Sequence, residues 1–171
     1  MNRIFGTGNA NLFGKTIMVA VVTLLASSLN AQDIKELQQK LQHTSDKSEQ
    51  ITLLNKLGDL SRNANAISEA IEYHQKALNI CRETGDIANE AKSLNYIGSS
   101  YWRINNFDSA HYYYEIALEA SLKSGNSDDK IRILNNLALV SQSQGDYFTA
   151  NYYYQKVALN WLNANNKTEY A

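Results

Sequence analysis

The chain has 171 residues, a formal net charge of −1, one cysteine and no proline. A charge near zero argues against a nucleic-acid-binding protein held by a general basic field, and a single cysteine excludes an intramolecular disulfide and a zinc site built from several cysteines. The absence of proline fits a chain made almost wholly of helix, because proline breaks helix interiors.

The N-terminal segment, residues 1–31, has the composition of an export signal. Arg3 and Lys15 are its only charged residues, and the apolar run at residues 16–26 is followed by small and polar residues. A basic start, a short apolar stretch and a small-residue exit are typical of a secretory signal peptide. The apolar run is also shorter than the roughly 20 residues that cross a bilayer. The segment therefore predicts an exported protein, periplasmic or secreted.

Cleavage of this signal is expected after Ala31, with Ser28 as the second choice. The Ala-Gln junction resembles those of proteins exported by Bacteroidetes-type bacteria. Loss of Arg3 and Lys15 would take the net charge from −1 to −3. The alternative is that residues 16–29 are retained as an anchor in the inner membrane; otherwise no membrane span is expected.

The rest of the chain repeats itself at an interval of 40 residues without a gap. This period predicts three units, 51–90, 91–130 and 131–171, preceded by a capping half-unit at 32–50. Four positions show the repeat most clearly: Leu54, Leu94 and Leu134; Asn55, Asn95 and Asn135; Ala70, Ala110 and Ala150; and Tyr73, Tyr113 and Tyr153.

Each unit has the pattern of two helices. In the second unit, Leu94, Ile97 and Tyr101 are spaced three and four apart, which places them on one helical face. Glycines between units, Gly85 and Gly125, favour helix ends because glycine adopts the left-handed conformation easily. The fold class is therefore predicted as all-α, with about seven helices in antiparallel pairs.

Small residues in the middle of each first helix indicate a close helix contact. Gly58, Gly98 and Ala138 stand at this position, although glycine costs about 1 kcal/mol relative to alanine inside a helix. The alanines of the second helix, such as Ala110, are the expected partners. Tyr114 and its equivalents are expected to fill the space between helices.

The order Leu94, Ile97, Gly98, Tyr101 and Ala110 resembles the tetratricopeptide repeat in a 40-residue form. Ser61 and Ser141 replace the usual tyrosine of the first helix, and the proline that often ends the second helix is absent. The resemblance implies a right-handed α-solenoid. It also implies that the first helices line a concave groove that binds a peptide or a partner helix.

Residue patterns for catalysis are scarce, so neither an enzyme nor a cofactor or metal site is predicted. His74 occupies the position of Tyr114 and Tyr154, which predicts a packing role. The tyrosine triplets at 112–114 and 152–154 do not form a ligand platform, because consecutive helical residues point about 100° apart. Cys81 is expected to be a small buried side chain.

The resemblance places the partner-binding residues on the first helices. The asparagines of the repeat have two open interpretations: their amides either clamp a peptide backbone or bond to neighbouring helices and hold the stack. The basic residues could pair with a carboxylate of the partner. The candidate residues are Asn55, Asp59, Lys92, Asn95, Tyr96, Ser99, Arg103, Arg132, Asn135 and Asn136, with Lys56, Trp102, Leu139 and Gln142 beside them.

These patterns predict an exported, non-catalytic scaffold that binds another protein or peptide and no nucleic acid. The alternative is a truncated sensor or accessory portion of a bacterial signal-transduction protein, such as a histidine kinase or a transcriptional regulator. The last helix is partly polar and could be its own cap. If it is uncapped, self-association through the C-terminal end is the expected consequence.

Overall fold

A computed structural model describes the backbone of residues 32–169 and the side chains of residues 32–162. The predicted export signal lies outside the described residues. The described part contains seven helices and no strand, which confirms the all-α fold class. The helices are α1 (32–43), α2 (Lys47–Asn63), α3 (Ile67–Thr84), α4 (Ile87–Arg103), α5 (Phe107–Ser124), α6 (Ser127–Ser143) and α7 (Tyr147–Glu169).

Side chains and glycines set the helix boundaries between units. The carboxylate of Asp86 accepts a hydrogen bond from the backbone N–H of Asn89 at 3.0 Å and caps α4. The amide oxygen of Asn126 caps α6 in the same way through the N–H groups of Asp128 and Asp129. Gly85 and Gly125 end α3 and α5 in the left-handed conformation, as their positions in the repeat predict.

The turns inside the helix pairs also contain a left-handed residue, at the same position of each unit. Asn65, Asn105 and Gly145 have φ values of 65°, 58° and 81°. Asparagine and glycine are the residues that adopt this conformation most readily. The short polar breaks of the sequence are therefore tight turns that bring each pair of helices together antiparallel.

The helices form two layers. The first helices of the units, α2, α4 and α6, contact one another directly, whereas within the described residues α3 and α5 make no such contact, nor do α5 and α7. Closer spacing in one layer makes that layer the inner side of a curved stack. The groove predicted on the first helices is therefore on the concave side.

The apolar core lies between the layers and continues from unit to unit. A small cluster joins α2 and α3 around Ile51, Leu54 and Cys81, and Leu41 of α1 packs against it. The main cluster consists of Leu78, Ala91, Leu94, Ile97, Ala110, Tyr114, Ala117, Ala120, Ile133, Leu137 and Val140.

The close helix contacts are made by aromatic rings, which corrects the expected pairing with alanines. A Cβ atom added to Gly98 would lie 2.7 Å from ring carbons of Tyr114. A Cβ atom added to Gly58 would overlap the imidazole of His74. A flat ring covers more backbone than a methyl group does, so the glycines make room for rings. Ala70 and Ala110, the expected partners, are fully buried nearby.

Candidate functional site

The inner faces of α2, α4 and α6 enclose a cavity of about 230 Å³. It brings together five residues predicted from the sequence and two, Arg62 and Tyr114, that were not assigned to the groove. Arg62 aligns with Trp102 and Gln142, so its place in the repeat could have identified it. The lining residues are Arg62, Ser99, Trp102, Arg103, Tyr114, Asn136 and Leu139.

The floor of this cavity is fixed by a hydrogen bond between α5 and α4. The hydroxyl of Tyr114 donates to Oγ of Ser99 at 3.0 Å. Tyr114 is only 2% exposed, and burial raises the pKa of its phenol. Ser99 also donates to the carbonyl of Asn95 one turn earlier. Hydrogen bonds within the protein therefore fix the floor of the cavity. The residues of the walls are the ones available to contact a ligand.

The walls combine apolar and basic groups. Trp102 and Leu139 are 41% and 42% exposed, so both present apolar surface to the cavity. Arg103 is exposed at the end of α4, and the structure shows no ion pair for it within residues 32–162. This combination suits a ligand that carries both an apolar side chain and a carboxylate.

Two ion pairs stand beside the cavity. Nη2 of Arg62 lies 2.6 Å from Oδ1 of Asp59, and Nη2 of Arg132 lies 2.6 Å from Oδ1 of Asp129. Burial raises the pKa of Asp59, although the charge of Arg62 opposes this shift. These arginines are already partly neutralised, which leaves Arg103 as the cation with most capacity for a ligand.

Two of the three repeat asparagines, Asn55 and Asn95, bond to neighbouring helices, whereas Asn135 is half-buried. Asn55 is 9% exposed and its amide nitrogen donates to Oγ of Ser93 on α4 at 3.2 Å. Asn95 is 3% exposed and its amide oxygen accepts from Nδ2 of Asn136 on α6 at 2.8 Å. Both bonds join neighbouring first helices. Asn55 and Asn95 therefore hold the stack and are too buried to clamp a peptide.

Other candidates lie around the cavity without lining it. Tyr96 is half-buried and stacks on the ring of His74, with ring centres 5.0 Å apart. Lys92 and Asn135 are half-buried. Lys56 faces a separate open cleft between α1 and α2. The structure thus groups Ser99, Arg103 and Asn136 with Trp102 and Leu139, and it places the remaining candidates outside this group.

His74 is a packing residue, as predicted. The side chain is fully buried, and Nδ1 lies 3.1 Å from Oδ1 of Asn55. Burial lowers the pKa of His74 to about 3, so the imidazole is neutral at ordinary pH. Cys81 is also fully buried, and burial raises the pKa of its thiol to about 11. Such a thiol is a poor nucleophile.

The packing interpretation of the tyrosine triplets holds for Tyr113 and Tyr114 in the second unit and for Tyr153 in the third, which packs against the main cluster. Tyr113 stacks on Tyr101 with ring centres 5.4 Å apart, and Tyr114 is buried. Tyr154, predicted to pack between units, is instead 39% exposed. In the second unit α6 follows and covers the equivalent ring, whereas α7 is the last helix of the described stack.

Comparison with known proteins agrees with this geometry. Residues 49–123 match the sequence model of the tetratricopeptide repeat. None of the helices in the described part of the chain is long and apolar enough to cross a membrane. A comparison of the chain with curated protein sequences found no significant match.

Solved structures show the same fold. The TPR domain of Arabidopsis FLU is 18% identical with a TM-score of 0.63, over 69% of this chain and 99% of that domain. BtubC from P. vanneervenii is 22% identical with a TM-score of 0.65, over 78% of this chain. The Rap conjugation gene regulator of plasmid pLS20, solved in complex with the Phr* peptide, is 16% identical with a TM-score of 0.67, again over 78%.

The fraction of each solved chain that the match covers differs among these structures. The match spans 55% of BtubC and 38% of the Rap regulator, so only the fold is carried over from them. The 40-residue period, the antiparallel helix pairs and the family match have the same explanation. Residues 49–123 contain tetratricopeptide repeats, and the described part of the chain has the fold of tetratricopeptide repeat domains.

Proposed function

We propose that the chain binds a segment of another protein in its concave groove, at the cavity between α4 and α6. The observation that carries this proposal is the exposure of Trp102 and Leu139 beside the guanidinium group of Arg103. Large apolar groups next to an available cation favour an apolar residue adjacent to an acidic residue or a C-terminal carboxylate. Asn136 can bond to the backbone of the ligand.

The fold similarity supports a polypeptide ligand. The Rap conjugation gene regulator was solved with a peptide, so a stack of this kind can hold one. The remaining candidates at the edge of the cavity, Asp59, Lys92, Tyr96, Arg132 and Asn135, are proposed to contact the flanking residues of the ligand. No chemistry on the ligand is part of the proposal, because the cavity contains no nucleophile with an adjacent base.

A selection of peptides from a random display library tests this function. Bound peptides are expected to be acidic and apolar. The double variant Trp102→Ala, Arg103→Ala should bind them at least about tenfold more weakly, since central aromatic and arginine anchors carry most binding energy. Arg82→Ala is the matched control, because Arg82 pairs with Glu90 on the outer side. Equal binding by wild-type protein and the double variant would exclude this groove.

The location proposed for this function is outside the cytoplasm, through the export signal at residues 1–31. N-terminal sequencing of the protein from its native cells is expected to find Gln32 as the first residue. An intact Met1 on the released protein would contradict export by cleavage, and recovery in the membrane fraction would favour the anchor at residues 16–29.

A second candidate function is the sensor or accessory portion of a signal-transduction protein. It is supported by similarity to a gene regulator of which this chain spans 38%. Genomic sequence around the coding region tests it, because a kinase or regulator frame fused to or following this one is expected.

Self-association through the C-terminal end is proposed as a further property of the stack. Trp161 is 56% exposed, whereas its equivalents Cys81 and Ser121 are buried. An exposed tryptophan at a position that earlier units bury supports an association surface.

A further inference from the structure

A further cleft opens on the outer side of the stack, where α5 and α7 separate. It measures about 280 Å³ and lies over the first half of α6. Leu118 and Leu134 form part of its lining, and Leu122 and Tyr152 stand at its edges with 56% and 51% exposure. This surface faces away from the concave groove, so it is independent of the function proposed above.

Two lysines line the same cleft. Lys130 comes from α6 and Lys156 from α7, and Nζ of Lys156 lies 5.1 Å from the ring centre of Tyr152. Within residues 32–162, neither lysine forms an ion pair. The cleft therefore offers two cations above an apolar floor, and the described part of the chain provides no carboxylate that pairs with them.

At the equivalent edge of the preceding unit, the chain itself forms an ion pair. Forty residues earlier, Arg82 replaces Leu122 and Glu90 replaces Lys130. Nε of Arg82 donates to Oε1 of Glu90 at 2.9 Å across this edge. The second unit thus has a lysine where the first unit has a carboxylate, and it exposes a leucine where the first unit has an arginine.

We infer that the α5–α7 cleft is a docking site for a leucine-rich acidic segment of a partner protein, which supplies the carboxylate that Glu90 supplies in the preceding unit. Leucine side chains of the partner would cover Leu122 and Tyr152, and its glutamate or aspartate groups would pair with Lys130 and Lys156. Charge complementarity selects this occupant, because a basic or neutral segment leaves both ammonium groups unpaired beside apolar surface.

Methyl NMR on the full chain tests this inference with a defined probe. The probe is the acetylated and amidated peptide Leu-Glu-Ala-Leu-Leu-Glu-Ala-Leu, and the matched control peptide has glutamine at both glutamate positions. The acidic peptide is expected to shift the methyl signals of Leu118, Leu122 and Leu134 at about millimolar concentration. The glutamine peptide should bind about tenfold more weakly or not at all.

Two variants connect the binding to the cleft. The double variant Leu122→Arg, Lys130→Glu rebuilds the ion pair of the preceding unit. It should lower the affinity for the acidic peptide by about tenfold or more. Lys156→Ala changes one exposed side chain, so it tests the same site if the double variant does not fold. Arg103→Ala, in the concave groove, should leave this binding unchanged.

Three results would overturn the inference: no shift with the acidic peptide at about millimolar concentration, equal shifts with both peptides, or unchanged binding in Lys156→Ala. Loss of binding in Arg103→Ala, with binding retained in the cleft variants, would place the binding site for the acidic peptide in the concave groove instead. The failure of this inference is therefore distinguishable from failure of the function proposed for that groove.

Discussion

The imidazole of His74 lies on Gly58 in the same way that the phenol of Tyr114 lies on Gly98. Both glycines occupy the middle of a first helix, and both rings come from the second helix of the same unit. The first two units therefore share a ring packed on a glycine, while the chemical nature of the ring differs between them. In the first unit the ring is titratable and fully buried.

Gly98→Ala is expected to destabilise the fold by about 1–3 kcal/mol, because its methyl group would lie 2.7 Å from the buried ring of Tyr114. This cost opposes the gain of about 1 kcal/mol that alanine has over glycine in a helix. Denaturant unfolding monitored by circular dichroism measures the difference. The reverse change at the equivalent position, Ala138→Gly, should cost about 1–2 kcal/mol, because it lowers helix propensity and removes a buried methyl group. A Gly98→Ala protein as stable as wild type would refute the close contact.

His74 should make stability depend on pH. Its pKa falls from an ordinary value near 6.5 to about 3 in the folded state, so the unfolded chain binds the extra proton between these values. The free energy of unfolding is therefore expected to decrease below pH 6.5, by about 1.4 kcal/mol per pH unit from this group.

The change His74→Phe isolates this contribution, since a phenyl ring covers Gly58 without titrating. Its unfolding free energy should fall less steeply than that of wild type between pH 6.5 and pH 4, in chemical denaturation at fixed ionic strength. Carboxylates titrate in both proteins, so their contributions cancel in the comparison. Parallel curves for the two proteins would mean that the imidazole is solvated in the native state.

Asn55 and Asn135 occupy the same repeat position but should respond differently to alanine. Asn55→Ala leaves Oγ of Ser93 and Nδ1 of His74 without their partner in a buried place, which costs about 1–3 kcal/mol. Asn135 is only half-buried, and its change to alanine should remain within about 0.5 kcal/mol. Thermal unfolding of both variants makes the comparison, and equal losses would contradict the division of the asparagines found in the structure.

The fold was predictable from the sequence because the repeat sets the helix pairs. Leu94, Ile97 and Gly98 recur at one interval, and the glycines at 85 and 125 mark the ends of units. These features depend on local spacing, which the sequence contains directly. The groove on the first helices was predicted from the resemblance to the tetratricopeptide repeat and not from the spacing.

The details of the groove depend on how neighbouring helices tilt, which no interval in the sequence encodes. Asn55 and Asn95 could face either a ligand or the next helix, and the burial of both is a property of the stack. Arg62 is the exception, because it aligns with Trp102 and Gln142 of the groove and its repeat position already contains this signal. The exposure of Tyr154 depends on the absence of a further helix beside α7 in the described stack.

The exposed end of the stack leads to the last prediction, that the protein associates through α7. Tyr154 is 39% exposed and Trp161 56% exposed, whereas their equivalents Tyr114 and Ser121 are 2% and 1% exposed. Sedimentation velocity on the full chain should show a mass that rises with concentration, and Trp161→Ser should reduce this rise. Phe148→Ser is the matched control, because Phe148 is 88% exposed at a position where the earlier units also expose Ser68 and Asp108. Any association through the apolar run at residues 16–26 is common to all three proteins and cancels. If the two variants behave alike, the open stacking face is not the contact, because only one of them alters it.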